Sequence, residues 1–138
     1  MTPSELQRLI IDRDAFPQLT ENIRPGATVE LASLCGSALA LTAAGVAARA
    51  GGVHVFVMED KDAAGYLYND LYELTGEEDK PLFFPTGYKR SIQYGQEDPS
   101  GIVQRTAALN ALRSGSGRTL LLCTYPEAIA EKVVDRER

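Results

Sequence analysis

LASLCGSALALTAAGVA, residues 31–47, decides how this chain is read. Its pattern predicts the end of a strand, a tight turn at Cys35-Gly36-Ser37 and a helix crowded with small apolar residues. Strand, turn and helix in that order are how nucleotide-binding α/β proteins present phosphate to the N–H groups and positive dipole end of a helix. A working loop of the form G-x-x-x-x-G-K-[ST] adds a lysine for the β/γ-phosphates and a hydroxyl for magnesium. Laid over residues 33–40, Ser33 and Ala38 stand where the flanking glycines belong, Leu39 where the lysine belongs and Ala40 where the hydroxyl belongs. Gly36 and Ser37 alone keep the character of the loop. Each lost charge-assisted hydrogen bond is worth roughly 1.5–3 kcal/mol. Losing the lysine and the metal ligand therefore removes about 3–6 kcal/mol, which turns a micromolar site into a millimolar one or weaker. No nucleotide site is expected at Ser33, Gly36, Ser37, Ala38, Leu39 or Ala40, although bare helix N–H groups can still hold a small anion.

Upstream, Thr28–Ala32 reads as a short strand with Val29 and Leu31 at its apolar positions, set off by a turn at Pro25-Gly26. Residues 1–26 read as a helical lead-in. Thr2 with Glu5 three residues on forms a capping box, with Pro3 in the first turn, so residues 3–13 should be helical with Leu6, Leu9 and Ile10 as one stripe. A shorter helix over 14–24 carries Pro17.

Downstream, Gly36 is expected to open a helix to about Ala50, apolar nearly all round and so buried on more than one face. Gly51-Gly52 ends it. Val53–Met58 is the clearest strand, of the continuous apolar kind found in parallel sheets covered on both faces. Glu59–Thr75 reads as a helix with Ala63, Leu67, Leu71 and Leu74 on one side, Gly76–Lys80 as a charged turn, and Leu82–Phe84 as a short strand stopped by Pro85. A loop from Thr86 to Asp98 leads into a helix over Pro99–Ser114, with Ile102, Ala108, Leu109 and Leu112 inward. Gly115–Gly117 turns, Leu120–Cys123 is a last buried strand, and a second capping box at Thr124–Glu127 opens a final helix through about Val134. Helix and strand alternate throughout, which predicts one α/β domain with a parallel sheet wrapped by helices. If downstream segments complete the sheet, ending it mid-fold leaves an exposed edge that invites pairing in isolation.

The bulk numbers narrow the function classes. At 138 residues, 44% hydrophobic and 24% charged, the chain can bury a proper core. Its formal charge of −5 opposes autonomous binding to DNA or anionic membranes, which needs surplus Lys and Arg. No apolar run reaches a membrane span, and the N-terminus lacks the basic-then-apolar pattern of a signal peptide. A cytoplasmic domain with no membrane partner is expected. Cys35 and Cys123 lie far apart with a single His in the chain, so they read as packed thiols and no metal is expected. His54 reads as an ordinary strand residue. The acidic runs Glu59–Asp62 and Glu77–Asp79 fall at helix starts and turns, where the dipole suits them, and no catalytic residue is assigned. In FFPTGYKRSIQYGQ (83–96), Tyr88, Lys89, Arg90 and Tyr94 interleave aromatic and basic groups and could stack on bases and touch phosphates, but on an acidic domain a solvated loop is the plainer reading.

Taken together, LCGSALAL, HVFVMED and DKDAAGYLYNDLYEL (60–74) resemble the start of UvrB, which carries an intact phosphate loop. They resemble more closely the UvrB-homology module that opens the bacterial transcription-repair coupling factors (Mfd), where the loop is likewise degenerate. FFPTGYKR and GIVQRTAALNALRSGSGRTLLLCTYPEAIAEKVV (101–134) continue the resemblance, which spans residues 28–134, and Arg105 matches an arginine of the equivalent helix. The resemblance implies a RecA-like, P-loop NTPase-like half fold that is the N-terminal part of a larger protein. It implies a parent that uses ATP and magnesium in a motor elsewhere to release stalled RNA polymerase from damaged double-stranded DNA and recruits UvrA for nucleotide excision repair. This segment would then be non-catalytic and bind no cofactor, making mainly intramolecular contacts with neighbouring domains. Where UvrB inserts a DNA-clamping hairpin, this chain has only the loop between Pro85 and Pro99. Tyr88, Lys89, Arg90, Tyr94 and Arg105 are candidates for nucleic-acid or interdomain contact. The alternative is a small nucleotide- or phosphate-binding α/β enzyme built on an unusual Gly36-Ser37 loop.

Overall fold

Three short parallel strands carry the fold: β1 (Val53–Val57), β2 (Leu82–Phe84) and β3 (Leu120–Thr124), in the spatial order β1-β3-β2. The computed structural model describes residues 2, 5, 6, 8, 9, 15–32, 34, 36–87, 99–115 and 117–131. Among the described residues, α1 (Ala15–Asn22) packs on α2 (Ala38–Ala50), which accompanies the sheet together with α3 (Lys61–Leu74), α4 (Pro99–Ser114) and α5 (Pro126–Ala130), and a 3₁₀ turn lies at Glu77–Asp79. The architecture is α/β with an open parallel sheet, as the alternation of elements requires, and it is consistent with half of a RecA-like fold.

β3 lies in the middle because it alone is apolar enough to be covered on both faces. Its register sets Val55 opposite Leu122 and Phe56 opposite Cys123 on one side, and Leu82 opposite Leu122 and Phe83 opposite Cys123 on the other. Side chains alternate along a strand, so Cys123, Phe56 and Phe83 share one face. There they meet Ala40, Ala43 and Ala44 of α2 and Leu67 and Leu71 of α3. Leu122, Leu82 and Phe84 share the other face, with Ala108 and Leu109 of α4 and Ala128 of α5. The alanines let α2 lie close to α3. Asp60 caps α3 by accepting a hydrogen bond from the Ala63 N–H at 2.8 Å, and Gly51, at φ 63°, terminates α2.

The N-terminal capping box forms: the Thr2 N–H donates to Glu5 Oε2 at 2.7 Å and the Glu5 N–H to Thr2 Oγ1 at 3.2 Å. Most of the helix expected over 3–13 lies outside the described residues; within it Leu6 and Leu9 are exposed.

Five expectations are corrected. Thr28–Ala32 is not a strand; the segment is exposed and joins no ladder, because two alternating apolar residues cannot hold an extended backbone without a partner strand. Helix α2 begins at Ala38 and not at Gly36, whose φ of 58° is left-handed. The Thr124 capping box is absent, since Thr124 belongs to β3 and its hydroxyl donates across the sheet to the Phe84 carbonyl at 2.9 Å. Helix α5 stops at Ala130, with Glu131 extended, short of Val134. Finally, Ile102 and Leu112 are exposed, and the inward face of α4 is Gly101, Arg105 and Ala108. Coverage of the sheet is also uneven. Helix α4 spans β2 and β3, and the valines of β1 on that face remain open to solvent.

Candidate functional site

Open parallel sheets bind ligands beyond the carboxyl ends of their strands, and most of the singled-out residues gather at that end. The degenerate loop is the first. Gly36 and Ser37 are exposed and form the turn into α2; Ser37 makes no side-chain cap, and its carbonyl accepts the Leu41 N–H at 3.0 Å. Ser33 and Cys35 lie outside the described residues. At the lysine position, Leu39 is 38% exposed, while Ala40 at the hydroxyl position is buried. Ala40 and Leu41 are the residues of this first turn that enter the core. The helix start therefore presents backbone dipoles and the non-capping Ser37 hydroxyl, with neither the lysine nor the second hydroxyl that a working loop carries at positions 39 and 40.

The second group is the polar network under the segment that follows β2. Arg105, 6% exposed, donates from Nη1 to the Pro85 and Ala128 carbonyls, both at 2.9 Å, and from Nη2 to the Glu131 carbonyl at 3.3 Å. Its Nε lies 3.8 Å from Glu131 Oε1, and its guanidinium sits over the Phe84 ring at 4.1 Å. Both oxygens of the same carboxylate accept the Gly87 N–H, at 2.9 and 3.1 Å. A Cβ on Gly87 would stand 2.8 Å from Glu131 Oε1, so glycine is what lets the backbone close on the acid. One residue earlier, the Thr86 N–H donates to the buried Tyr125 hydroxyl at 2.9 Å. Arginine, acid and tyrosine thus hold Pro85, Thr86 and Gly87 against α4 and α5.

That placement decides what Arg105 does in this chain. All its described contacts are internal, and it brings no positive charge to the surface. Tyr88, Lys89, Arg90 and Tyr94 lie outside the described residues, and the structure places only their stem. Glu131, Gly87 and Tyr125 are not singled out by the sequence pattern. The available signal is the spacing of Gly101, Arg105 and Ala108 on one face of a helix, which puts a charge where a core residue belongs.

The remaining candidates are ordinary. Asp60 is a helix cap and Glu77–Asp79 an exposed turn. His54 shares a 2.7 Å hydrogen bond with the Gly51 carbonyl, which requires the proton on Nε2, and stacks on Phe56. Cys123 is buried, which pushes its thiol up to about 12. Burial, helped by Tyr72 and Cys123, also raises the Tyr68 hydroxyl. Among the described residues no group of His, Cys, Asp and Glu could hold a metal ion, and no helix is long and apolar enough to cross a membrane. A groove of about 370 Å³ lined by Gly52, Val53, Lys80, Leu112, Arg118 and Leu120 lies at the amino ends of the strands, the end opposite to where such sheets bind ligands. Comparisons with family models, with characterised proteins and with solved structures return no match.

Proposed function

We propose that this chain is a non-catalytic, UvrB-like structural and interaction domain of a bacterial transcription-repair coupling factor. In this reading the cytoplasmic parent protein uses ATP and magnesium in a motor outside this segment to displace stalled RNA polymerase from damaged DNA, and recruits UvrA for excision repair. The segment itself supplies a half-sheet scaffold for contacts with neighbouring domains. The observation that carries the reading is the start of α2: the turn at Gly36-Ser37 keeps a phosphate loop's place before a helix, while Leu39 is exposed and Ala40 is buried where a cation and a metal-binding hydroxyl belong. The internal use of Arg105 supports it, because the arginine matched in the resemblance serves packing here.

Titration calorimetry of the chain with ATP and magnesium is the test. Binding weaker than about 1 mM is expected, a difference of roughly 4 kcal/mol from a micromolar site, and a micromolar constant would overturn the reading in favour of an enzyme. A matching test addresses the basic loop. Replacing Lys89 and Arg90 by Ala in the parent should leave its DNA affinity and the salt dependence of that affinity unchanged. If either side chain neutralises a phosphate, its removal would instead flatten the salt slope by about one unit.

A further inference from the structure

The two edges of the sheet are built differently. β2 is three residues long and bracketed by Pro81 and Pro85, two of the devices by which natural sheets blunt an edge. β1, Val53-His54-Val55-Phe56-Val57, carries no proline, glycine, lysine or acid, and is among the longest strands in the sheet. Its direction of pairing follows from one bond. The Met58 N–H donates to the Thr124 carbonyl at 2.9 Å, so by alternation the N–H groups of Phe56 and His54 face β3, and those of Val53, Val55 and Val57 face outward. The same three valines are 56, 52 and 53% exposed. An unblunted edge and an uncovered apolar row thus coincide on one strand.

We infer that β1 is a self-pairing edge that joins a second copy of this chain, antiparallel and centred on Val55. About a two-fold axis there, VHVFV matches itself. Val53 meets Val57 of the second copy, Val55 meets Val55, and each of these is a hydrogen-bonded pair because the outward N–H groups belong to those residues. On the uncovered face the valines of both copies merge into one apolar strip. On the other face His54 meets Phe56 of the second copy, and no like charges oppose each other anywhere along the pairing. The flanking charges favour this direction over a parallel one. Glu59 and Asp60 follow the carboxyl end of β1, whereas Arg49 ends α2 and Arg118 precedes β3 at the amino end; antiparallel pairing sets acid against base, and parallel pairing would set acid against acid. The pairing concerns this chain by itself and does not rest on the function proposed above; in a parent that continues the sheet, a further strand would compete with the second copy for the same edge.

Sedimentation velocity of the 138-residue chain up to about 100 µM, well above a micromolar dissociation constant, should show a species of about 30 kDa, twice the 15.0 kDa chain. Val55→Lys should return it to the monomer, with the circular dichroism spectrum and unfolding midpoint confirming that the fold survives. A second readout does not depend on that variant. With Cys35 replaced by Ser, Val55→Cys should cross-link to itself on mild oxidation, since hydrogen-bonded antiparallel partners sit about 5.5 Å apart between Cα atoms, within disulfide range. Val53→Cys should cross-link only when mixed with Val57→Cys. A monomer throughout, or a dimer in which Val55→Cys cross-links no better than Val53→Cys, overturns the proposal; the first covers an edge that takes a strand from a different protein, the second a dimer built on another surface.

Discussion

Arg105 holds a full positive charge in a buried position, and what makes that tolerable is the number of acceptors around it. Two carbonyls at 2.9 Å, a third at 3.3 Å, the Glu131 carboxylate and the Phe84 ring together replace the water the guanidinium gives up. Removing the arginine leaves three carbonyls without this donor and the Glu131 carboxylate without its cation, so Arg105→Ala should cost about 3–5 kcal/mol in urea unfolding. Arg105→Lys should recover only part of this, because a single ammonium in place of Nη1 can meet the Pro85 and Ala128 carbonyls but not also the Glu131 carbonyl and carboxylate that Nη2 and Nε serve. Gly87→Ala should cost less, about 1–2 kcal/mol, since the Glu131 side chain can swing aside at the loss of its bonds to the backbone. Cys123 provides a pH test. Its folded value of about 12 exceeds the ordinary thiol value near 9, so the unfolded chain gives up this proton first. The contribution is therefore complete below about pH 9 and is lost as pH rises from 9 toward 12, at up to about 1.4 kcal/mol per pH unit. Cys123→Ala should flatten that limb of the stability curve while lowering the plateau.

Between elements, packing depends on small residues at named places. Ala40, Ala43 and Ala44 bring α2 onto Leu67, Leu71 and Cys123, whereas Ala48 on the same helix is exposed. Ala44→Leu should therefore cost about 1–3 kcal/mol by overpacking, and Ala48→Leu should stay within about 0.5 kcal/mol, both read from denaturant midpoints. Elements whose signals are local are legible in the chain itself. β2 runs from Leu82 to Phe84 because Pro81 and Pro85 bound it, and α4 runs from Pro99 to Ser114 because proline starts it and glycine follows it. What the sequence does not reveal depends on a partner far away. Thr28–Ala32 has the alternation of a strand but pairs with no described strand. Thr124 has the spacing of a helix cap, but its hydroxyl is claimed by a Phe84 carbonyl 40 positions away in sequence. On α4, Ile102 and Leu112 have the chemistry of core and Arg105 that of surface, and only the carbonyls of Pro85 and Ala128 reverse that order.

At the scale of the molecule, stability should fall away from β3 in every direction. β3 pairs on both sides and is covered on both faces, so its amides have no route to solvent short of opening the sheet. Residues 28–32 sit at the other extreme: exposed, outside the ladder, and joined to the core through the turn into α2. Hydrogen exchange under native conditions separates these regimes. Amides of Leu121, Leu122 and Cys123 should exchange only with global unfolding, and their rates should rise together, in step with the stability lost in Arg105→Ala. Amides of Val29 and Leu31 should exchange at rates close to those of an unstructured peptide and be indifferent to that variant. Protection of Val29 and Leu31 to the level of β3 would mean that this segment spends its time as a fourth strand, and that the turn at Gly36-Ser37 joins a strand to a helix after all. The free edge of β1 would then be the place to look for it, and concentration dependence would tell the two occupants apart: a second copy protects Val53, Val55 and Val57 only as the chain is concentrated, whereas a strand from the same chain protects them at every concentration.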